Sequence, residues 1–265
     1  MHARARALEI LALPDPADKA AAARALREAV AAGRLPLAPQ ARLEEPADLP
    51  GRPPFPRLVP PDQVPRRSPH TRQGRAALLH AIAHIEFNAI NLALDAVWRF
   101  PGMPEAYYRD WLQVAAEEAL HFTLLREHLA TLDHDYGDFD AHDGLWSMCW
   151  KTREDLVARM ALVPRTLEAR GLDATPGIQD KLRRAGDLRA VEILDVILRD
   201  EVGHVAIGNR WYRWLCERAG LDPVAHYGVL VQRYQAPRLK PPFNDEARRR
   251  AGFTDEELAY LLGEP

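Results

Sequence analysis

Hydrophobic residues recur at intervals of three and four positions along four long stretches of the sequence, and this spacing is typical of amphipathic α-helices. We predict these helices at about residues 70–100, 104–132, 145–170 and 187–220. Amphipathic helices bury their apolar stripes against one another. The pattern therefore predicts an all-α protein built on a four-helix bundle.

Prolines, glycines and short polar residues predict where these helices begin and end. Ser68 is the predicted N-cap of the first long helix, and Pro101 with Gly102 ends it. Pro164 lies inside the third helix, where its missing N–H predicts a kink, and Gly171 predicts the end of that helix. Residues 173–177 then predict a loop, followed by a short helix over about residues 178–185.

A segment flanks the bundle on each side. Two helices are predicted at about residues 5–11 and 16–33, followed by a proline-dense stretch over residues 35–69 that favours extended backbone. We favour an arm packed along the core over a floppy linker, because the stretch offers apolar anchors in Leu43, Phe55, Leu58 and Val59. The predicted organisation is an N-terminal helical and proline-rich arm (1–69), the bundle (70–220) and a C-terminal helical extension packed on the bundle (221–265).

The apolar stripe of the fourth long helix contains a carboxylate and an imidazole. Read at 3.6 residues per turn, the residues that share this face are Leu194, Ile197, Glu201, His204, Gly208, Trp211 and Leu215. Burying Glu201 and His204 without partners would cost on the order of several kcal/mol. Because Glu-x-x-His places an oxygen and a nitrogen one turn apart on one face, a metal ion is the simplest partner.

The second long helix repeats the motif, since Glu118 and His121 lie on its apolar stripe with the same spacing. Such pairs also arise by chance, so the motif alone is a weak signal. Its position on the apolar stripe of a long helix strengthens the prediction, because an unpaired glutamate is rarely buried.

The other two long helices each offer one carboxylate. Glu86 stands in the inward stripe of the first helix and has no basic residue one turn away. On the third helix we favour Glu168, one turn beyond Pro164, over Glu154. Glu154 belongs to the charged run 151–155, which is typical of a solvated surface.

Together, the four helices carry a ligand set known from dinuclear carboxylate proteins. Two helices give one glutamate each and the other two give Glu-x-x-His, the pattern that holds two iron or manganese ions in helical bundles. Four carboxylates supply four negative charges, which balance two divalent cations. We therefore predict two Fe, or alternatively Mn or mixed Fe/Mn, per chain, bound by Glu86, Glu118, His121, Glu168, Glu201 and His204.

Composition narrows the class of protein. The net charge of −3 gives no global field for nucleic acid or a membrane. Two cysteines do not form a disulfide framework, and no uninterrupted apolar run reaches the roughly 18 residues of a membrane span. Since the first residues also lack the apolar core of a signal peptide, we expect a soluble cytoplasmic protein that does not contact a membrane.

The residues around these ligands resemble those of the ferritin-like superfamily of di-iron carboxylate proteins, and within it the bacterial DUF455 family, whose function is unassigned. The resemblance extends over most of the chain, from the proline-dense arm to Phe243 and Asn244. It is carried by His84-Ile85-Glu86, by the stretches 116–122 and 165–173, and by Arg199-Asp200-Glu201-Val202-Gly203-His204. The resemblance implies a ferritin-like four-helix bundle with the six ligands above. It also implies that Asp200 accepts the free ring N–H of a ligand histidine, which we expect to be His121.

Three functions follow from this resemblance. The first is an enzyme, a non-haem di-iron oxygenase or oxidase acting with O₂ on a small or tethered organic substrate, in which no side chain beyond the metal ligands is catalytic. The second is a ferroxidase or iron store, which the long arm and extension disfavour because they would hinder packing into a cage. The third, a structural bundle with a vestigial site, is the least favoured.

Partners are predicted only in outline. The sequence has no nucleotide-binding glycine motif, so we expect no bound nucleotide cofactor and an electron donor that is a separate protein or a free reductant. A tRNA-nucleoside hydroxylase is one use of a similar bundle, and local basic clusters leave that alternative open although the overall charge disfavours nucleic acid. These clusters are Arg66, Arg67, Arg72 and Arg75; Arg238 and Lys240; and Arg248, Arg249 and Arg250. We expect a monomer or a dimer.

Overall fold

The computed structural model describes residues 1–65 and 67–263. Within these residues the regular secondary structure is helical, and an isolated β-bridge joins Leu58 to Ala141. The prediction of an all-α protein is confirmed for them, whereas Arg66 of the first basic cluster and the last two residues of the predicted extension lie outside them. The helices form two units, Met1–Trp146 with Arg184–Ile193 and Ser147–Arg183 with Leu194–Pro265.

Unit one is built around two long helices. Its helices are α1 (Ala3–Leu11), α2 (Pro16–Ala31), α3 (Arg72–Arg99) and α4 (Glu105–Thr131), with a 3₁₀ turn at Pro61–Gln63. The long helices α3 and α4 pack against each other, α1 packs on α3, and α2 packs on α4. Helix α5 (Gly144–Lys151) begins at the end of this unit.

Helix α3 begins three residues later than predicted. Thr71, not Ser68, is its N-cap, and the Thr71 hydroxyl accepts a hydrogen bond from the Gly74 N–H at 3.0 Å. The Ser68 carbonyl accepts hydrogen bonds from the Thr71 N–H and hydroxyl, so Ser68 belongs to the turn before the helix.

Helix α3 is both long and apolar. By length and composition it could cross a membrane, with a mean hydropathy of 1.3 over its best window. However, 78% of that window is buried inside the protein. This burial is typical of the core helix of a soluble protein.

Two of the four predicted apolar anchors of the proline-dense arm are exposed, while Leu43 and Val59 are partly buried. Phe55 and Leu58 are 63% and 40% exposed. The fully buried Arg4 guanidinium instead donates hydrogen bonds to the carbonyl of Pro39 in the arm at 3.0 Å and to that of Trp98 on α3 at 2.6 Å. Because prolines donate no N–H, much of the hydrogen bonding of the arm comes from other segments, and the Pro39 carbonyl also accepts the Gly102 N–H at 2.8 Å.

A second buried cation, Lys19 on α2, holds the same arm. Its ammonium donates hydrogen bonds to the Gly51 carbonyl at 2.8 Å and to Asn91 Oδ1 on α3 at 2.6 Å. The ring centroid of Phe87 lies 5.0 Å from the ammonium nitrogen. Burial, with a smaller contribution from Arg52, lowers the pKa of Lys19 to about 7, because both disfavour the charged amine.

The region predicted as the third long helix is interrupted, and most of it lies in unit two. Helix α5 is followed by α6 (Leu156–Leu162), a π-helical segment (Val163–Glu168) and α7 (Arg170–Arg184). Asp155 N-caps α6 by accepting the Ala158 N–H at 2.9 Å, and this cap separates α6 from α5. Pro164 lies in a π turn, since its carbonyl accepts the Ala169 N–H at 3.1 Å, five residues on. The kink stays a prediction.

The predictions of a helix end at Gly171 and a loop over residues 173–177 are wrong. Helix α7 continues through both, with Pro176 inside it. Pro176 cannot donate to the Leu172 carbonyl one turn earlier, but Asn244 Nδ2 donates to that oxygen at 3.1 Å. A side chain 72 positions further along the chain thus replaces the missing backbone donor.

The remaining helices are α8 (Leu188–Ala219), α9 (Pro223–Arg233), α10 (Asp245–Arg250) and α11 (Asp255–Leu262). From Leu194 onward, α8 belongs to unit two. A buried apolar cluster joins α7 and α8 to the C-terminal helices, and its residues are Ala169, Leu172, Val205, Ala247, Ala251, Phe253 and Leu258. These contacts hold the C-terminal segment on the helices that carry the predicted ligands of unit two.

The lowered pKa of Lys19 predicts a pH-dependent stability difference. Between about pH 7 and 10.5 the unfolded chain keeps the lysine proton that the folded chain has released, so folding becomes more favourable as the pH rises. Relative to Lys19→Met, wild type should therefore gain up to about 1.4 kcal/mol per pH unit in this range. Denaturant unfolding of both proteins at about pH 7, 8 and 9 measures the slope.

Lys181→Met is the matched control, because Lys181 is an exposed lysine on α7. Its stability difference from wild type should stay constant over the same pH range. A flat difference for Lys19→Met would show that Lys19 keeps an ordinary pKa.

Candidate metal centre

Helices α3 and α4 bring three predicted ligands together in unit one. His121 Nδ1 lies 3.1 Å from Glu86 Oε2 and 3.2 Å from Glu118 Oε2. All three side chains are buried, and one ligand atom from each lies within 4.8 Å of the others. The Glu-x-x-His spacing on α4 and the facing position of Glu86 on α3 produce this arrangement.

Burial and a neighbouring carboxylate dominate the electrostatics of this trio. Burial and the neighbouring Glu118 carboxylate raise the pKa of Glu86 above its ordinary value, while His121 opposes the rise. Without a cation, both effects favour the protonated form of the Glu86 carboxylate. Two carboxylate oxygens and one imidazole nitrogen at this spacing fit a divalent ion such as Fe, Mn or Zn.

Unit two positions the other predicted ligands. Glu168 lies at the end of the π-helical segment, and Glu201 and His204 lie one turn apart on α8. They are 6%, 7% and 1% exposed, and His204 Nδ1 is 3.9 Å from Glu201 Oε2. A Cβ built at Gly171 would lie 3.9 Å from Glu201 Oε1, so the start of α7, just after Glu168, approaches this carboxylate.

All six predicted ligands are thus buried, and the alternative carboxylate is not. The Glu154 side chain is 86% exposed and lies near Arg153. Glu86, Glu118 and His121 meet in unit one, and Glu201 and His204 are neighbours in unit two. A single dinuclear centre with six ligands stays a prediction.

Asp200 has a partner other than the predicted histidine. Arg199 donates to both of its carboxylate oxygens, at 2.8 and 3.1 Å, and the Asp200 side chain is 13% exposed. The predicted hydrogen bond with a ligand histidine stays a prediction.

A buried polar stripe on α3 was not predicted. His80, His84, Asn88 and Asn91 follow one another at intervals of three or four residues, and all are buried. His84 Nδ1 is hydrogen-bonded to the Tyr136 hydroxyl at 2.8 Å, and burial lowers the pKa of His84 to about 3 and that of His80 to about 4. These imidazoles are therefore neutral, and the spacing of polar residues within an apolar helix is the signal that could have identified them.

Several residues of the basic clusters have acidic partners within their own unit. Arg248 is fully buried, and its guanidinium donates to both oxygens of Asp173 at 2.9 and 2.6 Å. The other pairs are Arg72–Asp133 at 2.6 Å, Arg75–Asp187 at 3.7 Å and Arg249–Asp255. These arginines therefore form ion pairs within the protein.

Replacing Glu86 should test whether its carboxylate is retained for a cation. In chelator-treated wild type, the free energy of unfolding should fall as the pH rises from about 5 to about 8. In this range the folded protein still holds the Glu86 proton, whereas the unfolded chain has lost it. Glu86→Gln imitates the protonated carboxylate, so its stability should be less dependent on pH and at least equal to that of wild type at about pH 8. Added Mn²⁺ should raise the melting temperature of wild type but not that of Glu86→Gln.

Glu127→Gln, at an exposed position on α4, is the control and should follow wild type in both measurements. If Glu86→Gln unfolds more easily than wild type at every pH, the carboxylate is a structural hydrogen-bond acceptor and not a retained cation ligand.

The sequence matches a known family over most of its length. The match to the family described as "Protein of unknown function (DUF455)" covers residues 12–259. A protein of Haemophilus influenzae (strain ATCC 51907 / DSM 11121 / KW20 / Rd), described as "Uncharacterized protein", is 54% identical over 213 residues, which cover 78% of this chain and 74% of the relative. No solved structure matches the chain. The chain therefore belongs to the DUF455 family.

Proposed function

We propose that this chain is a dinuclear metal protein of ferritin-like architecture and an O₂-dependent oxidoreductase, a hydroxylase or oxidase, of an organic substrate. The observation that carries the proposal is the buried trio Glu86, Glu118 and His121, whose ligand atoms lie within 4.8 Å of one another. A protein that needed only stability would gain by replacing these groups with apolar residues, because buried charged groups seldom repay their desolvation. Retention of the trio is explained by a bound cation.

Charge balance supports two ions. In the proposal Glu168, Glu201 and His204 of unit two complete the set, so that four carboxylates face two divalent cations. Oxygen and imidazole donors suit Fe and Mn, and we propose two Fe, or alternatively Mn or mixed Fe/Mn, per chain. Bound iron or manganese would supply redox chemistry with O₂.

The chain's own residues hold the ions and exclude water. The trio itself is less than a tenth exposed, and the rings of Phe87 and Phe122, beside Glu86 and His121 in sequence, pack together with a centroid distance of 5.5 Å. An apolar surround strengthens the interaction between a carboxylate and a cation. The proposed protein works in the cytoplasm and takes electrons from a separate donor.

Metal analysis of protein purified without chelator tests the proposal. We expect about two Fe or Mn per chain, and size-exclusion chromatography should show a monomer or a dimer. A large cage with many iron atoms per chain would instead establish the ferroxidase or storage alternative. Metal content near zero after anaerobic loading with Fe²⁺ and Mn²⁺ would contradict both.

The third-helix ligand is tested by a matched pair of glutamates. Glu168→Ala should lose at least one metal per chain, because it removes a buried carboxylate, whereas Glu154→Ala should keep wild-type occupancy, because Glu154 is exposed. Glu118→Ala is a second positive case in unit one and should also lose at least one metal. Equal metal loss in Glu154→Ala and Glu168→Ala would overturn the choice of Glu168.

A further inference from the structure

The π-helical segment that ends at Glu168 is held by other elements of unit two at three consecutive residues. The first is Pro164, whose ring packs on Gly208 of α8. A Cβ built at Gly208 would lie 2.6 Å from Pro164 Cβ and 2.7 Å from Cγ, closer than real Cβ atoms approach. The absence of a side chain at Gly208 therefore sets how closely the segment approaches the helix that carries Glu201 and His204.

The second is Arg165, whose guanidinium is buried between α8 and the C-terminal helix α11. Its NH1 donates hydrogen bonds to Asn209 Oδ1 at 2.9 Å and to Glu257 Oε1 at 2.8 Å. The Arg165 and Glu257 side chains are only 3% and 2% exposed, so this is a buried ion pair. Three aromatic rings surround the guanidinium. The distances from Arg165 Cζ to the ring centroids are 5.1 Å for Tyr212, 5.2 Å for Tyr227 and 4.9 Å for Phe253.

The third is Thr166, whose hydroxyl bridges the segment to α9. It donates a hydrogen bond to the Ala161 carbonyl at 2.7 Å and is hydrogen-bonded to the Tyr227 hydroxyl at 2.9 Å. Both partners are within hydrogen-bonding range of a single hydroxyl, which is fully buried.

A π turn needs such support because it is a rare and locally weak geometry. It contains one more residue than an α turn, so the residues after it are rotated by about 100° around the helix axis relative to a regular helix. Glu168 ends this turn. If the turn relaxed to α geometry, the Glu168 carboxylate would point in a different direction.

We infer that Gly208, Arg165 and Thr166, with their partners Glu257 and Tyr227, are positioning residues that fix the π turn and so aim Glu168 as a metal ligand. The C-terminal helices α9 and α11 thereby take part in assembling the metal site. The inference rests on the proposed function, because it assigns Glu168 as a ligand.

Two alanine substitutions on α8 separate positioning from general helix effects. Gly208→Ala adds a methyl group that meets the Pro164 ring, whereas Gly203→Ala adds one with no atom within 4 Å. In anaerobic Fe²⁺ titrations of the chelator-stripped, full-length protein, Gly208→Ala should bind the more weakly held iron at least about tenfold less tightly, a loss of about 1.4 kcal/mol. Gly203→Ala should keep the wild-type affinities.

Combining Gly208→Ala with Glu168→Ala tests whether Gly208 acts through Glu168. In the Glu168→Ala background, Gly208→Ala should cause no further loss of iron affinity, because the group that it displaces is already gone. An additive loss would assign Gly208 a structural role independent of the ligand and overturn the inference.

Thr166 supplies a second comparison that does not depend on helix packing. Thr166→Val is nearly isosteric but removes both hydrogen bonds, and it should weaken the same iron several-fold. Thr166→Ser keeps the hydroxyl and should restore binding close to that of wild type.

The outcomes distinguish the inference from the proposed function. Wild type that binds fewer than two irons would contradict the dinuclear centre itself, and the inference would fall with it. Wild type that binds two irons, together with folded Gly208→Ala and Thr166→Val that bind them equally well, would overturn only the positioning of Glu168.

Discussion

The mutual proximity of Glu86, Glu118 and His121 in a region closed to water is the constraint on which the rest of unit one depends. Two carboxylates that share one imidazole gain little from each other and lose their hydration. The apolar helices α3 and α4 must therefore hold the trio in place against its own electrostatic preference. The long apolar stretches of α3, which could be mistaken for a membrane span, provide that packing.

Buried cations elsewhere in the chain follow a different principle. Arg4, Lys19 and Arg248 are fully buried, and each donates hydrogen bonds to carbonyl or carboxylate oxygens of other segments. Each of them joins segments that are far apart in sequence. Desolvation offsets much of the energy of such buried contacts.

Sequence periodicity predicted the all-α class and the burial of every proposed ligand, because 3.6-residue spacing directly determines which side chains share a face. It also separated Glu168 from Glu154, since the charged run around Glu154 indicated solvent. It could not predict the π turn or the passage of α7 through Pro176. Both depend on partners distant in sequence: Gly208 leaves room for the Pro164 ring, and Asn244 replaces the donor that Pro176 removes. The contacts of Arg4 and Lys19 with the arm were missed for a related reason, because their acceptors are backbone carbonyls distant in sequence.

The hydrogen bond from Asn244 to the Leu172 carbonyl also bears on the order in which the chain acquires its structure during synthesis. Helix α7 contains a proline whose lost donor is replaced only when residue 244, 72 positions after Leu172, has left the ribosome. Until then, the Leu172 carbonyl has no intrachain donor from this position. This contact therefore forms only after the segments that make the contacts between α3 and α4 have been synthesised.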